Sequence, residues 1–331
     1  MDFNNLFSSF SNIKVGVVGD LMLDTYWWGH VERISPEAPV PVVTLDKKEL
    51  RIGGAGNVAL NLISLGAPTA VFSVIGEDET GKELDRMLAD SGIDTSYLIC
   101  SHRRITTNKT RIISRNQQMM RLDSEISEDL NADAEEALIA RVRDYIVNEK
   151  PAVIILEDYN KGVLTEKVIR EVIHICKQNN VITTVDPKRR NFFAYRGVTI
   201  FKPNLKEVKD GLNLLLEDIN IAALKNIHQR LADKLGHEIS FITLSEHGVY
   251  YEKDGAADII PSHFRNIADV SGAGDTVIAV ASLLYAASKD VRLMAEVANI
   301  AGGLVCETVG TIAVNKEQLL EECRQLLTDQ F

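Results

Sequence analysis

The feature that most constrains this chain is a rhythm of short apolar runs. They lie near 15–20, 69–75, 152–157, 181–185, 198–201 and 239–244, are rich in β-branched residues, and alternate with segments whose apolar residues recur at helical spacing. Strand–helix–strand alternation predicts an α/β fold of the doubly wound kind, with a mainly parallel sheet flanked by helices. In such folds ligands gather at the carboxyl ends of the strands, so residues just past each run are the first candidates for chemistry. Two segments, 25–50 and 104–122, break the rhythm: they carry strand formers and basic residues with no helix between them. They predict a small β lid inserted into a single domain spanning 1–331, although surface hairpins remote from any site fit the pattern equally well.

Composition excludes several classes of function. The 331 residues are 45% hydrophobic and 25% charged, ordinary for a globular protein with a large core. With 36 basic and 47 acidic residues the net charge is −11, which argues against surfaces for nucleic acid or anionic lipid. The longest apolar or small-residue stretch, Val277 to Ala287, falls well short of the ~20 residues a membrane span needs. The N-terminus has neither a basic region nor a continuous apolar one, so no secretory signal is expected. Cys100, Cys176, Cys306 and Cys323 are scattered without metal-like spacing, which fits free thiols and a cytoplasmic location.

Three glycine-rich loops compete as ligand sites. Gly76 to Glu83 nearly spells a GxxxxGK[ST] phosphate loop, but Glu83 replaces the metal-binding hydroxyl, and Glu77, Asp78 and Glu79 crowd negative charge where phosphates would sit. Gly53-Gly54-Ala55-Gly56-Asn57-Val58-Ala59 satisfies GxGxxA, yet the charged residues Lys47 to Arg51 precede it where a dinucleotide fold wants a buried strand. Its glycines still predict close backbone approach to a ligand, and Asn57 can both donate to and accept from sugar hydroxyls. The strongest loop is Asp269-Val-Ser271-Gly272-Ala273-Gly274-Asp275-Thr276, which opens an apolar helical run. Unpaired N–H groups at a helix start favour an anion such as a phosphoryl group in transfer. Asp275 in that first turn suits a general base; an N-cap role would explain Asp275 alone, but not the two glycines and second aspartate beside it.

Together the GGAGN and DVSGAGDT loops, about 215 residues apart, resemble the signature pair of the PfkB, or ribokinase-like, sugar kinases. The resemblance implies a Mg·ATP-dependent phosphotransferase with Asp275 as catalytic base and Gly272, Ala273 and Gly274 as anion hole. It implies a possible monovalent cation (K⁺) site beside Asp269 and Ser271. Asn204, Leu205, Lys206 and Glu207 look like the NxxE element that organises nucleotide and Mg²⁺, the latter through water at Glu207; read alone, they fit an exposed helix cap. Thr243, Ser245 and Gly248 resemble the nucleotide-side TxGxxG loop, with Ser245 where glycine is usual. Asn299 matches a position that approaches adenine. Lids of this kind also imply a homodimer.

The first 45 residues, with VGDLMLDTYWWG and RISPEAPVPV, are similar to the kinase domain of bifunctional ADP-heptose biosynthesis proteins. That narrower resemblance implies phosphorylation of a heptose 7-phosphate at the anomeric oxygen. On it, Asp24 binds sugar hydroxyls, with Asp20 a second acceptor. The lid cations Lys109, Arg111, Arg115 and Arg121 would meet the sugar's own phosphate, though a solvated edge strand explains the charges equally well. Asp158 and Lys161, and Asp186 and Lys188, complete the set; Lys188 could serve either phosphate. No HxGH-type signature of a nucleotidyltransferase domain is found. The rivals are another PfkB kinase, a dinucleotide oxidoreductase, and a non-catalytic sugar-phosphate-binding protein.

Overall fold

The computed structural model describes residues 2–115, 117–215 and 218–327. Strand β1 (Val15–Gly19) leads into a long hairpin, β2 (Leu21–Ile34) with β3 (Pro41–Gly54), that runs straight into the helix Ala55–Ser64. Next come β4 (Thr69–Phe72), β5 (Val74–Gly76), the helix Glu79–Asp90, β6 (Ile99–Ser101) and a second hairpin, β7 (Thr107–Ser114) with β8 (Gln117–Ser124). Helices then alternate with β9 (Val153–Glu157), β10 (Ile182–Asp186), β11 (Ile200–Phe201) and β12 (Ile239–Thr243). The antiparallel strands β13 (Val249–Lys253) and β14 (Ala256–Ile260) precede the helices Ala273–Ser288, Val291–Val305 and Lys316–Leu327.

Among the described residues the main sheet has the order β14-β13-β12-β11-β10-β9-β1-β4 and is parallel from β4 through β12. The helices Ala55–Ser64, Ala273–Ser288 and Val291–Val305 cover one face, where Val17, Ile155, Val58, Leu62 and Val280 pack. Helices Ala132–Glu149, Glu166–Gln178 and Ile221–Leu235 cover the other, over Val18, Leu156, Val185 and Phe201. The helix Glu166–Gln178 shows how the sequence fixes this layer. Thr165 caps its start by accepting from the Val168 amide, and Val168, Ile169, Val172, Ile173 and Cys176 line its buried side. The helix Ala273–Ser288 instead has every residue from Asp275 to Tyr285 buried, as an almost continuously apolar run requires.

The second sheet, β3-β2-β7-β8, draws on both arrhythmic segments. Parallel pairing of β2 with β7 sets Asp24 beside Lys109 and Tyr26 beside Arg111. Strand β8, at the edge, is exposed along its whole length.

The architecture departs from the sequence expectation at three places. The run 69–75 is two strands that part at Ser73: β4 joins the main sheet, while β5 pairs with β6. The crossover from β1 to β4 passes through the lid hairpin before its helix, so GGAGN follows a lid strand. The hairpin β13–β14 closes the main sheet antiparallel, because a short turn cannot carry a parallel crossover.

Candidate functional site

The two glycine loops meet at Asp275. Gly54 takes φ +59° and Gly272 φ +79°, positive values that favour glycine. These turns start two helices that pack together and aim Asn57 at the first turn of Ala273–Ser288. Asn57 Nδ2 donates to Asp275 Oδ2 at 2.8 Å, and the Tyr159 hydroxyl donates to Asp275 Oδ1 at 2.7 Å. Asn61, one turn beyond Asn57, accepts from the Thr276 hydroxyl at 3.0 Å and the Val314 amide at 2.9 Å, locking the two helices in register. The buried Asn57 Oδ1 has no partner among the described residues, so it can accept from a ligand hydroxyl. Burial pushes the Asp275 carboxyl up to about 6, against the hydrogen bonds from Asn57 and Tyr159; Asp186 raises it further, and Lys188 opposes. A carboxylate so placed can take a proton near neutral pH.

The amide of Ala273 is occupied by the Val270 carbonyl at 3.3 Å, whereas those of Gly272 and Gly274 donate to no acceptor among the described residues. The expected three-amide anion hole is therefore narrower, because the turn closes on itself through Ala273. A Cβ on Gly274 would stand 3.5 Å from Asp186 Oδ2 and 3.9 Å from Lys202 Nζ, so the helix start abuts a charged cluster. In that cluster Lys202 and Lys188 each lie 2.8 Å from the Asp186 carboxylate, and Lys188 also reaches Glu207 at 3.0 Å. Burial raises the Asp186 carboxyl, but the two lysines hold it below the ordinary range overall. Burial disfavours the Lys188 ammonium, yet Asp186, Glu207 and Glu157 more than restore it.

Glu207 completes a capping box with Asn204 at the start of the helix Leu205–Leu212, whose first residues are Leu205 and Lys206. A bridge between Asn204 and Thr243 sets this helix start beside the β12 loop. There Ser245 adopts φ +55°, the backbone that glycine takes readily, and Gly248 follows at φ +88°. Asn299 donates to the Pro261 carbonyl at 2.8 Å and so ties the 261 loop to its helix. Asp269 accepts from the Ser271 amide and hydroxyl, at 3.0 and 2.8 Å, and from the Gly310 amide at 2.8 Å. Burial raises its carboxyl, but these donors bring it below the ordinary range.

On the lid side Asp24 is paired with Arg111 at 2.5 Å and lies against Gly53, where a Cβ would come 2.5 Å from its Oδ2. Lys109 Nζ stands 5.4 Å from the centre of the Tyr159 ring, and Lys188 Nζ stands 5.5 Å from the same centre. Lys161 is paired with Glu125 at 2.7 Å. Two lid cations do not join this group: Arg115 sits in the hairpin turn, and Arg121 pairs with Asp123 at 2.8 Å on the exposed edge strand. Asn116, next to Arg115 in the sequence, lies outside the described residues.

Two aspartates are committed to the protein itself. Asp20 accepts from the amides of Tyr159, Lys161 and Val163 at 2.8, 3.0 and 3.1 Å, so it anchors the loop after β9 where a sugar-hydroxyl acceptor was expected. Asp158 accepts from the Tyr195 hydroxyl at 2.6 Å and the Asn160 amide at 2.7 Å, and burial pushes it up to about 6. The near-miss phosphate loop is closed in the same way. Asp78 caps the helix Glu79–Asp90 by accepting from Gly81 and also bonds the Thr106 amide, so a carboxylate fills the space a phosphate would need.

Tyr159, Lys202, Glu157 and Asn61 were absent from the sequence-derived site. Glu157 was the most legible, since it is an acid closing the fully apolar run β9. Both its oxygens are buried without a partner among the described residues, and burial, then Asp186 and Asp275, raises its carboxyl well above the ordinary range.

The model of the pfkB family of carbohydrate kinases matches residues 12–318. Bifunctional protein HldE of Campylobacter curvus is 35% identical over 96% of this chain, which covers 67% of that protein. Its counterpart in Aliarcobacter butzleri is 40% identical over 92% of the chain and 63% of the relative. The chain thus spans about two thirds of the length of these relatives. Phosphofructokinase-2 from Escherichia coli in complex with potassium superposes with a TM-score of 0.79 at 18% identity, covering 96% of this chain and 99% of its own. Arabidopsis thaliana ribokinase complexed with ribose and ATP gives 0.73 at 17% identity, covering 93% and 99%. The chain belongs to the pfkB family of carbohydrate kinases and is a phosphotransferase that acts on a sugar hydroxyl.

Proposed function

We propose that this kinase phosphorylates D-glycero-β-D-manno-heptose 7-phosphate at O1, giving the 1,7-bisphosphate used for nucleotide-activated heptose and lipopolysaccharide core synthesis. The observation that carries the chemistry is the buried Asp275, held by Asn57 and Tyr159 beside the two unpaired glycine amides. Support for the acceptor comes from the similarity to the HldE proteins and from Lys109 and Arg111 standing beside Asp24.

In this reading Asp275 takes the proton of the anomeric hydroxyl as its oxygen bonds to the γ-phosphorus, and the bond to the β–γ bridging oxygen breaks to release ADP. The amides of Gly272 and Gly274, with Lys188 and Lys202, offset charge on the transferring group. Asp24 and the Asn57 carbonyl oxygen orient the sugar hydroxyls, Lys109 and Arg111 take the 7-phosphate, and the lid excludes competing water. Thr243, Ser245, Gly248 and Asn299 border the nucleotide.

No group of three or more potential metal-ligating side chains is gathered among the described residues. Mg²⁺ would therefore be held by Glu207 through water together with nucleotide oxygens, and would supply charge neutralisation at the phosphates. Asp269 and Ser271 would border K⁺. We also assign a cytoplasmic location, where ATP is supplied; no helix among the described residues is long and apolar enough to cross a membrane. A homodimer through the lids is supported by the exposed apolar residues Met119, Met120 and Leu122 on β8.

The test is ADP release with Mg·ATP and a panel of heptose 7-phosphate, fructose 6-phosphate, fructose 1-phosphate and ribose, with NMR to locate the new phosphate. Turnover confined to the heptose, with phosphate at C1, is expected. Preference for another acceptor would overturn the heptose assignment and leave the sugar kinase.

A further inference from the structure

Tyr159 meets four groups of the site. Its hydroxyl donates to the base at 2.7 Å, and its backbone amide is anchored on Asp20 at 2.8 Å. Lys109 from the lid and Lys188 from the nucleotide side stand over its ring at 5.4 and 5.5 Å. We propose that Tyr159 is a positioning residue that couples binding of the acceptor's own phosphate at Lys109 to the orientation of Asp275. The proposal rests on Asp275 being the base.

A carboxylate held by one donor can rotate about its Cβ–Cγ bond, whereas Asn57 on one oxygen and Tyr159 on the other fix its plane and leave a lone pair for the sugar hydroxyl. The ring that carries the second donor is itself held by its contacts with Lys109 and Lys188. A phosphate arriving at Lys109 competes with the ring for the ammonium. Because the backbone of Tyr159 is anchored, the ring and its hydroxyl can respond only by side-chain rotation, which is felt directly at Asp275. An acceptor lacking a phosphate leaves that contact unchanged. The other groups facing Asp275 are Asn57 from the helix Ala55–Ser64, Glu157 from β9, and Asp186 and Lys188 from the end of β10. None of these four bears a hydroxyl; Tyr159 both bonds the carboxylate and meets Lys109 of the lid.

The test is steady-state kinetics across pH for Tyr159→Phe, Lys109→Met and the double variant, with Asp275→Asn as control. Tyr159→Phe keeps the ring and removes the donor. Its kcat should fall about 10- to 100-fold with acceptor KM within about threefold, and the acidic limb of kcat/KM should move up by roughly half a unit or more, because a hydrogen bond that favours the ionised form is gone. Lys109→Met should raise KM and also lower kcat in the wild-type background, but lower kcat no further once Tyr159 is Phe. An unmoved acidic limb in Tyr159→Phe, or kcat losses that simply multiply in the double variant, would overturn the proposal. Should Tyr159→Phe fail to fold, Lys109→Met alone decides: an unchanged kcat removes the coupling. Near-normal turnover by Asp275→Asn would instead sink the base assignment beneath it, a result distinct from either of the others.

Discussion

Two carboxylates at the same edge of the main sheet have opposite fates. Asp20, after β1, is buried and its oxygens are taken by three backbone amides of the loop 159–163. Asp275, at the start of a helix, is equally buried but is held by two side chains whose donors leave lone pairs free. Burial raises both carboxyls above their ordinary range. The difference lies in what compensates them: amides that belong to the loop make Asp20 a structural clamp, and side-chain donors leave Asp275 with free lone pairs, as the proposed base requires. Burial and charge alone do not separate structure from chemistry; the identity of the donors does.

The largest effect expected from this contrast is in Asp275→Asn, which should lower kcat by roughly 10²- to 10⁴-fold. Its thermal midpoint should stay level or rise. The folded carboxyl titrates at about 6, above its ordinary value of 3.8, so ionising it works against the fold at pH 7 and stability grows as pH falls through that value. A variant that cannot ionise loses this pH dependence, which melts at pH 5 and 8 would show. A large drop in midpoint at pH 7 would erase the distinction from Asp20.

Asp20→Asn should behave in the opposite way. One amide oxygen cannot serve three N–H donors, and its NH₂ would face them, so urea unfolding should show a loss of roughly 2–4 kcal/mol. Full stability in that variant would break the comparison.

A buried base away from the site sharpens it further. His237, bonded to Ser240, has its imidazole pushed down to about 4, by burial first and then by His228. Its folded value lies below the unfolded 6.5, so its contribution is present above pH 6.5 and is lost as pH falls toward 4, by up to about 3 kcal/mol. His237→Gln should flatten that acid limb of stability and leave the pH–rate profile alone.

The smallest change is expected for Glu157→Gln, since neither carboxyl oxygen has a partner to lose among the described residues. Stability should stay within about 1 kcal/mol or improve, while a severalfold rise in acceptor KM would place the group against the sugar.

Much of this site was written in order along the chain. The glycines of both loops, Asn57, Asp275 and the NxxE element are local patterns, because a turn or a helix start needs particular residues at adjacent positions. Asp20 and Asp158 look like site residues for the same local reason, an acid just past an apolar strand. Only the path of the loop 159–163, and for Asp158 also the Tyr195 hydroxyl, reveals that their oxygens are already used. Tyr159 and Lys202 carry no local signature, since a tyrosine or a lysine beside a strand is common and acquires meaning only from what lies opposite it.

By itself, the sequence determined the alternating strands and helices, the parallel sheet and the two helix starts, since these follow from the spacing of apolar residues and from glycine's backbone freedom. The tertiary structure alone decided which buried acids remain available for chemistry. That depends on donors up to 218 positions away, as with Asn57 and Asp275, and contacts across such separations are set by packing rather than by neighbouring residues.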